Sequence, residues 1–500
     1  MLLAGLDIGT TGCKVAVYDT GGTCLGKVYQ DYPVQRTAAR HEVDAAAIAQ
    51  AVKQVLAQAA AQYPGIAGIG VTSFGETFVL LDEHDVPLLP AMLYTDPRGS
   101  AECAQLVQRV GAEKIIYETG VAPAAMYSLP KLMWVKAHCP TVWARVKHIC
   151  LMEDFIVYLL TGTAQIDYSL ATRTMAFDIR NLCWHTELLR AADIDAQLLS
   201  APVPTGTSAG CIRQMLADAL GLDAGCQIVS VAHDQVAAAV GSGVFDKACA
   251  VDGAGTVECI TPVFTSCDAL QMARGSYAIV PYVNPGQYVC YAFSFTGGAL
   301  VDWYVKTLAG YAQAEATATG NEIHAILEAG YSDAPTGVLV LPHFAGAATP
   351  YMDVGSKGAI LGLTVEHTQQ QLYQACMEGV VYEMRLNLDR LRDAGVAVKA
   401  LRATGGGARS KLWLQMKADI LNLPVTALRN EEAGATGSAM LVGVAVGAFA
   451  TLAEAAYVMV TPQTTYLPRP QVHARYDAVY QRYIKVYDAV RPLFDGEATQ

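Results

Sequence analysis

The sequence predicts an α/β protein with two domains of similar size, each beginning with the same arrangement of strand, turn and strand. The chain has 500 residues, which is more than one hydrophobic core usually organises. With 53% apolar and 16% charged residues, it has enough apolar side chains for two buried cores. The opening arrangement returns about 245 residues later. These observations predict a duplicated domain, with an N-terminal domain over 1–246 and a C-terminal domain over 247–500 that ends in a helix.

Apolar runs and turn residues define the elements of the first domain. Three strands separated by Gly and Thr turns are expected in the first 35 residues, and Asp44 is expected to cap the helix that follows. The predicted elements are strands at 2–8, 14–18, 25–32, 66–72, 78–81 and 227–232, a helix that ends near residue 61, and a largely helical stretch over 101–197.

The second domain repeats the opening of the first. Strands are predicted at 248–251 and 257–261, on either side of a glycine turn at 252–256. A helix is predicted over 412–421 and another over 474–490, and no role is assigned to the last 40 residues.

The charge and cysteine patterns argue against several classes of protein. The net charge is −12, and the sequence has no run of Lys or Arg that could attract phosphates locally. Nucleic acid is therefore not an expected partner. The 13 cysteines are scattered singly with no Cys-x-x-Cys pair. This pattern is typical of reduced, buried thiols rather than of a disulfide or zinc framework.

No segment of the sequence is expected to enter a membrane. The N-terminus reaches Asp7 too early for the apolar core of a signal peptide. The uncharged stretch at 433–453 is long enough for a span, but it is rich in Gly and Ala and has few large apolar residues. It therefore predicts a buried helix in close packing, and we expect a cytoplasmic protein. The oligomeric state is left open, with a homodimer as one candidate.

The first turn carries the residue types that hold a phosphate. A tight hairpin at Thr10, Thr11 and Gly12 would direct backbone N–H groups and hydroxyls toward one point. Asp7 at the strand end can hold a hydrated Mg²⁺, and Lys14 can place a positive charge near a transferring phosphoryl group. The alternative is an ordinary hairpin that uses glycine for its geometry.

Other glycine-rich turns could complete a nucleotide site. Gly255 and Thr256 repeat the first turn in the second domain, and a run of three glycines precedes the predicted helix at 412–421. The small-residue segment 432–439 could either face an adenine or pack closely on other helices. A plain turn is the alternative for the glycine run, and no Walker-type loop or His-Arg-Asp loop is present. The nucleotide-binding residues predicted in the second domain are Gly255, Thr256, Gly298, Gly405, Gly406, Gly407 and Ser410.

Asp234 is the candidate general base. It follows an apolar strand, and active-site groups commonly collect at strand ends in α/β sheets. A positioned carboxylate can take the proton of a hydroxyl as that oxygen bonds to phosphorus. A helix cap is the alternative role for Asp234, and the neighbouring His233 is interpreted as structural.

Five segments, in the same order, resemble the FGGY carbohydrate kinases, a family that includes xylulokinases, glycerol kinases and gluconokinases. The resemblance extends over nearly the whole chain. The matching segments are 7–11 (first phosphate motif), 126–135 (N-terminal signature), 232–235 (catalytic Asp segment), 358–363 with 371–378 (C-terminal signature) and 405–410 (ATP loop).

The resemblance implies a duplicated actin-like (ribonuclease H-like) fold, with ATP in an interdomain cleft. Together with the Mg²⁺ expected at Asp7, this makes ATP and Mg²⁺ the predicted cofactors. The resemblance implies that Asp234 is the catalytic base, that sugar binds mainly to the N-terminal domain, and that the domains close over both substrates to exclude water.

The resemblance also points to the residues that contact the sugar, which are Glu76, Tyr94, Asp96 and Arg98. Glycerol kinases carry Arg-Glu in the first of these segments, whereas this chain has Gly75-Glu76 and so lacks an arginine there. The xylulokinase pattern is not matched cleanly either. Carboxylates at two of these positions favour a neutral ketopentose such as xylulose, or a polyol, over an acidic sugar.

Three alternatives stay open on the sequence alone. Asp96 and Arg98 could be a buried structural pair. The same fold also supports an actin- or chaperone-like ATPase, and a pseudokinase could bind sugar without turnover. The hydroxyl-reading residues and the intact Asp7 and Asp234 favour a kinase.

Overall fold

The computed structural model of the protein describes residues 1–429 and 432–494, which form two compact units. Unit 1 comprises Met1–Phe245, Ala278–Val289 and Glu432–Thr461. Unit 2 comprises Asp246–Tyr277 together with residues 290–429 and 462–494. Because unit 1 also contains two segments from the second half of the chain, the two compact units do not coincide with the two halves of the sequence. The predicted domain boundary at 246/247 stays a prediction.

Residues 1–245 alternate short strands with helices. The strands are β1 Leu2–Ile8, β2 Gly12–Asp19, β3 Cys24–Asp31, β4 Val34–Arg36, β5 His41–Val43, β6 Ile66–Ser73, β7 Phe78–Leu81, β8 Ala91–Met92, β9 His148–Leu151, β10 Gln165–Asp167, β11 Phe177–Asp178, β12 Cys183–Trp184, β13 Ala201–Val203, β14 Thr207–Cys211 and β15 Gln227–His233. The helices are α1 Ala45–Gln62, α2 Ser100–Val110, α3 Ala112–Thr119, α4 Ser128–His138, α5 Pro140–Trp143, α6 Met152–Thr161, α7 Tyr168–Thr172, α8 Thr186–Ala192, α9 Gln214–Leu220 and α10 Asp234–Gly241.

The remaining elements follow from residue 249 onward. The strands are β16 Cys249–Ala254, β17 Glu258–Phe264, β18 Val280–Pro281, β19 Tyr288–Val289, β20 Ala292–Ser294, β21 Leu339–Leu341, β22 Ala359–Leu361, β23 Ala400–Thr404, β24 Val425–Leu428 and β25 Pro462–Tyr466. The helices are α11 Ala269–Arg274, α12 Gly298–Leu308, α13 Gly310–Thr319, α14 Ile323–Glu328, α15 Gln369–Asp393, α16 Lys411–Leu421, α17 Ala433–Ala445, α18 Leu452–Met459, α19 Pro470–Tyr483 and α20 Val486–Val490.

The six-stranded sheet of unit 1 brings three strand ends to one edge. Its order is β14-β15-β6-β1-β2-β3, in which β1, β6 and β15 run parallel and the other neighbours are antiparallel. The register pairs Asp7 with Thr72, and Ser73 with both Ile8 and His233. The carboxyl ends of parallel strands are where α/β folds place their sites. Residue 7, the loop after β6 and residue 234 therefore lie together.

The sheet of unit 2 repeats this pattern of strand directions. The run β20-β17-β16-β23-β24-β25 has antiparallel, antiparallel, parallel, parallel and antiparallel neighbours in turn. The unit 1 sheet read from β3 to β14 has the same sequence of directions. The duplication predicted from the two hairpins is therefore confirmed.

The predicted elements of the first 81 residues agree with the structure to within a few residues, and Asp44 caps α1 by accepting a hydrogen bond from the Ala46 N–H at 2.9 Å. The stretch 101–197 is helical with short strands between the helices, and those strands were not predicted. The predicted helix at 474–490 is divided into α19 and α20.

The small-residue stretch after residue 432 forms α17, which packs closely in unit 1. A Cβ on Gly241 of α10 would lie 1.9 Å from the carbonyl oxygen of Ala433, and one on Gly437 would lie 2.0 Å from that of Ala237. Only glycine permits this approach of two helix backbones. Among the described residues, no helix has both the length and the apolar character needed to cross a membrane.

Candidate active site

An ionic cluster lies at the end of β1. The Asp7 carboxylate is 3.1 Å from Lys14 Nζ, and Lys14 Nζ is 2.7 Å from Glu432, just before α17. Burial raises the pKa of Asp7, and the Asp234 carboxylate adds to the rise while Lys14 opposes it. Burial alone would lower the pKa of Lys14, but Asp7 and Glu432 outweigh it and raise that pKa. Lys14 is therefore a fixed positive charge between two carboxylates.

The turn between β1 and β2 presents its polar groups outward. The Gly9 N–H donates to the Gly12 carbonyl at 2.9 Å, which closes the turn. Thr11 is exposed and Thr10 is partly exposed, and no described residue hydrogen-bonds to either hydroxyl. A Cβ on Gly12 would lie 2.2 Å from the hydroxyl of Tyr29, an exposed side chain that could move aside. The two hydroxyls are free to contact a ligand.

Asp234 is the first residue of α10 and follows β15 directly. Its side chain is 35% exposed. Burial raises the pKa of Asp234 to about 6, against the opposing effects of Gln235, Arg173 and Lys14. None of the described residues donates a hydrogen bond to its Oδ1 atom. A carboxylate with a pKa near neutrality and an uncommitted oxygen is suited to accept a proton.

His233 is buried beside this carboxylate. Its Nδ1 atom is 3.3 Å from Asp234 Oδ1. Burial lowers the pKa of His233 to about 3, and Arg173 lowers it further. The backbone N–H of His233 donates to Ser169 Oγ at 2.9 Å. The ring is therefore neutral, and its interpretation as a structural residue stays a prediction.

Glu76 is held in a strained backbone conformation. Its φ of 61° lies in the left-handed region that glycine favours, and the Thr77 N–H donates to the Gly75 carbonyl at 2.7 Å. This three-residue turn with a positive central φ is rare. Ser128 Oγ donates to the Glu76 carbonyl at 2.7 Å and fixes the turn from α4.

Arg173 pairs with Glu76, a contact that the sequence analysis did not foresee. Arg173 Nε donates to Glu76 Oε1 at 2.6 Å, and Nη2 contacts the same oxygen. Both side chains are buried, and the guanidinium lies 5.3 Å from the centre of the Tyr127 ring. Arg173 ends the short helix α7, whose first turn is capped by the buried Asp167. The partner of Glu76 is thus an arginine 97 residues away in the sequence.

The other three predicted sugar contacts also lie in unit 1: Tyr94, Asp96 and Arg98. Asp96 and Arg98 are hydrogen-bonded to each other, whereas Tyr94 shares its surroundings with the acids of the site. Burial raises the pKa of Tyr94, and the negative charges of Glu76 and Asp234 add to the rise, so these groups share one environment. Asp96 accepts hydrogen bonds from Arg98 Nε at 2.8 Å and from the His41 N–H at 2.8 Å. Both Asp96 and Arg98 take part in the buried pair that was the alternative to sugar contact.

A buried lysine supports the loops that carry these residues. Lys131 Nζ donates to the carbonyls of Leu93, Tyr94 and Met126 at 3.0, 3.2 and 3.1 Å. Burial lowers the pKa of Lys131 to about 8. Lys131 therefore fixes the backbone at Tyr94 and just before Tyr127.

In unit 2 the predicted nucleotide loops contact one another. Gly405 has φ 87°, and a Cβ there would lie 2.7 Å from the Ala254 carbonyl oxygen. The Gly298 N–H donates to the Gly255 carbonyl at 2.8 Å, and the Ala299 N–H donates to Thr256. Packing therefore requires Gly405. A Cβ on Gly406, by contrast, would meet nothing within 4 Å.

Two other predicted residues of these loops have distinct surroundings. A Cβ on Gly407 would lie 2.8 Å from that of Ala254, so this glycine also belongs to the contact between loops. Ser410 caps α16 by accepting a hydrogen bond from the Trp413 N–H at 3.2 Å, and it donates to Glu328 at 3.1 Å.

A buried ionic cluster lies beneath these loops. Lys417 Nζ on α16 is 2.7 Å from Asp252 Oδ2 and also contacts Glu258. Asp252 lies in β16 and Glu258 begins β17, on either side of the turn at 255–257, and all three side chains are at most 2% exposed. Burial raises the pKa of Glu258 well above its usual range, and Asp252 adds to the rise. Lys417 thus connects the helix after the glycine run to both ends of the second hairpin.

The described residues contain no cluster of three or more acidic, His or Cys side chains that could hold a metal ion, so Asp7 could bind a divalent cation only through its one carboxylate, with water as the other ligands. Mg²⁺ prefers carboxylate oxygens and keeps several waters. Asp7 lies within electrostatic reach of the carboxylates of Asp234 and Glu432, and these acids raise its pKa. A cation would relieve that repulsion.

Known proteins resemble the chain in sequence and in structure. Residues 2–241 match the N-terminal domain, and residues 254–446 the C-terminal domain, of the FGGY family of carbohydrate kinases. The xylulose kinase of Staphylococcus epidermidis is 25% identical over 98% of this chain and 97% of its own length. A glycerol kinase of Geobacter sp. (strain M21) is 33% identical over 91% of this chain and 92% of its own. The crystal structure of xylulose kinase from Rhodospirillum rubrum matches with a TM-score of 0.88 and 26% identity, covering 99% of this chain and 100% of that one.

The duplicated units therefore have the fold of actin-like carbohydrate kinases. The chain belongs to the FGGY family of carbohydrate kinases, and it is a phosphotransferase with an alcohol group as acceptor. The resemblance stated from sequence motifs is confirmed. Membership of this family implies ATP as the phosphoryl donor. The roles of individual residues stay predictions.

Proposed function

We propose that the protein transfers the γ-phosphoryl group of ATP to a hydroxyl of a small neutral sugar or polyol, with a ketopentose such as xylulose as the first candidate. The proposal rests on the properties of the Asp234 carboxylate. It combines a raised pKa, an oxygen that no described residue hydrogen-bonds, and a position beside the polar groups of Glu76 and Tyr94.

Each group in unit 1 has a role in the proposed reaction. Asp234 accepts the proton of the sugar hydroxyl as its oxygen attacks phosphorus. Thr10 and Thr11 donate hydrogen bonds to phosphate oxygens, and Lys14 offsets negative charge on the transferring group. Mg²⁺, when bound at Asp7, would neutralise charge on the phosphate oxygens. In unit 2 we propose that Gly406 lies against the nucleotide.

A neutral substrate is supported by the acids that surround the proposed sugar site. Asp234 would repel a carboxylate, and Glu76 already occupies the Arg173 guanidinium that could otherwise receive one, whereas both acids can accept hydrogen bonds from hydroxyls. Tyr94 offers an aromatic face to the C–H groups of a sugar. The named xylulose and glycerol kinases resemble the chain at comparable coverage, and this leaves both ketopentoses and short polyols to be tested.

The test is a screen of the purified protein for ADP release with ketopentoses, alditols, aldonates and glycerol, followed by NMR of the phosphorylated product. We expect sugar-dependent ADP release that Asp234→Asn lowers by about two to four powers of ten. Asp218→Asn, at an exposed position of α9, is the matched control and should retain full activity. ADP release that is independent of sugar and equal in wild type and Asp234→Asn would indicate a simple ATPase and refute the proposal.

A further inference from the structure

The pairing of Glu76 with Arg173 has a consequence for which sugars the site accepts. Arg173 donates to Oε1 of Glu76 from both Nε and Nη2. The side chains are 8% and 5% exposed, so the pair is shielded from solvent. An arginine binds the carboxylate of an acidic ligand through the same contacts. In this protein the carboxylate of Glu76 makes those contacts instead.

We propose that Arg173 and Glu76 together determine the charge class of the substrate, with Glu76 occupying the place that the carboxylate of an acidic sugar would otherwise take on Arg173. The inference rests on the proposed kinase function, because it concerns the same sugar site. It assigns to Arg173 a specificity-determining role that its position in the sequence does not indicate.

Gly75 makes this arrangement possible. A Cβ at position 75 would lie 2.9 Å from Arg173 Cγ and 3.0 Å from His233 Cδ2. A side chain there would therefore displace Arg173 from Glu76. Gly75, Glu76 and Arg173 form one steric and electrostatic set, although about 100 residues separate them along the chain.

The other cations of unit 1 near this set also have partners, and Lys131 donates to three backbone carbonyls rather than to a carboxylate. Lys14 lies between Asp7 and Glu432, and Arg98 contacts Asp96 and Glu42. Arg36, which lowers the pKa of Tyr94, is exposed. An acidic sugar would meet the carboxylate of Asp234, while Lys14, Arg98 and Lys131 are already engaged with other groups. Like charges brought together at a desolvated site strongly disfavour binding.

The pair is held rigidly enough to act in this way. Glu76 is fixed through its backbone by Ser128, and Arg173 is fixed by the capped helix α7 and by the Tyr127 ring. A rigid, neutral pair can accept a hydrogen bond from a substrate hydroxyl at the Glu76 carboxylate while the charge of that carboxylate stays compensated.

The test compares four proteins whose pair carries different charges: wild type (zero), Glu76→Gln (plus one), Arg173→Met (minus one) and the double variant (zero). For each, kcat/KM is measured with a neutral ketopentose and with a five-carbon aldonate at saturating ATP. We expect the preference for aldonate over ketopentose to rise at least about tenfold in Glu76→Gln and to fall in Arg173→Met. The double variant should return close to the wild-type ratio. KM for ATP should stay within about twofold throughout, since the pair lies in the proposed sugar site.

Several outcomes separate this inference from its alternatives. If all four proteins show the same ratio, or if wild type prefers the aldonate, the inference is wrong while the kinase function stands. Arg173→Lys keeps the positive charge and serves as the alternative if Arg173→Met does not fold. It should retain the wild-type preference for the ketopentose. A shift of its preference toward the aldonate would also contradict the inference. Calorimetric binding of both compounds without ATP gives the same ranking independently of turnover. If the wild-type protein binds ketopentose without phosphorylating it, the proposed function is wrong. The inference would then be tested by the relative affinities of the four proteins for ketopentose and aldonate.

Discussion

The raised pKa of Asp234 makes a prediction about the pH dependence of the reaction. Only the deprotonated carboxylate can accept a proton, so activity is lost as pH falls through the pKa of the base. With a pKa of about 6, Asp234 is roughly 90% deprotonated at pH 7 and roughly 10% at pH 5. We therefore expect kcat/KM for the sugar to fall about tenfold between pH 7 and pH 5.

An unperturbed aspartate would behave differently. With the ordinary pKa near 3.8, the same carboxylate would stay more than about 90% deprotonated at pH 5, and the rate would hardly change. Burial is the main cause of the rise, and Arg173 and Lys14 oppose it. Replacing Arg173 by Met should therefore move the acidic limb of the profile to higher pH.

The assay must separate the base from other titrating groups. ADP is quantified by chromatography at saturating ATP and Mg²⁺, because coupling enzymes have pH profiles of their own. Circular dichroism at each pH establishes that the protein stays folded. The residual rate of Asp234→Asn should lack the limb near pH 6. A wild-type profile that is flat down to pH 4.5, or a limb that persists in Asp234→Asn, would refute the assignment of the base.

Three further substitutions test the supporting structure. Gly406→Val should raise KM for ATP at least about tenfold at unchanged melting temperature, because its side chain enters open space where we place the nucleotide; an unchanged KM would contradict that placement. Lys417→Met leaves two buried carboxylates unpaired and should destabilise the protein by about 3–5 kcal/mol, seen as a fall in melting temperature of roughly 10 °C, whereas Lys411→Met at an exposed position of α16 should change it little. Lys131→Met removes the donor to three carbonyls and should raise KM for the sugar about tenfold with KM for ATP unchanged, and Lys136→Met on the same helix is its control; equal effects on both KM values would indicate a general loss of structure.

Much of the fold follows from local sequence patterns. Alternating apolar residues and Gly or Thr turns define β1, β2 and β16, because strand periodicity and turn chemistry depend on residues near one another in sequence. The recurrence of the hairpin predicted the duplication, and ordered motifs predicted the family. The short strands between residues 101 and 197 were missed, since each has only two to four residues and little periodicity.

Some residues of the candidate site could be predicted from the sequence, and others could not. Asp7 lies near the end of β1, Thr10 lies in the turn after it, and Asp234 directly follows β15. Their types and positions were enough to single them out. Arg173 was not singled out, because its partner Glu76 lies 97 residues away and the contact exists only once α7 and the loop after β6 are folded. Its one sequence signal was negative, namely the glycine at position 75 where an arginine was missing.

The sequence by itself determined the class of protein: local patterns specify strands, turns and the order of motifs, and these are sufficient for the duplicated kinase fold. Tertiary structure decided the electrostatics. The pKa of Asp234, the compensation of Glu76 by Arg173 and the burial of Lys417 all depend on desolvation and on charges brought together from distant segments. Such energies arise only when the chain has folded, because in the unfolded chain water surrounds each of these groups and screens its neighbours.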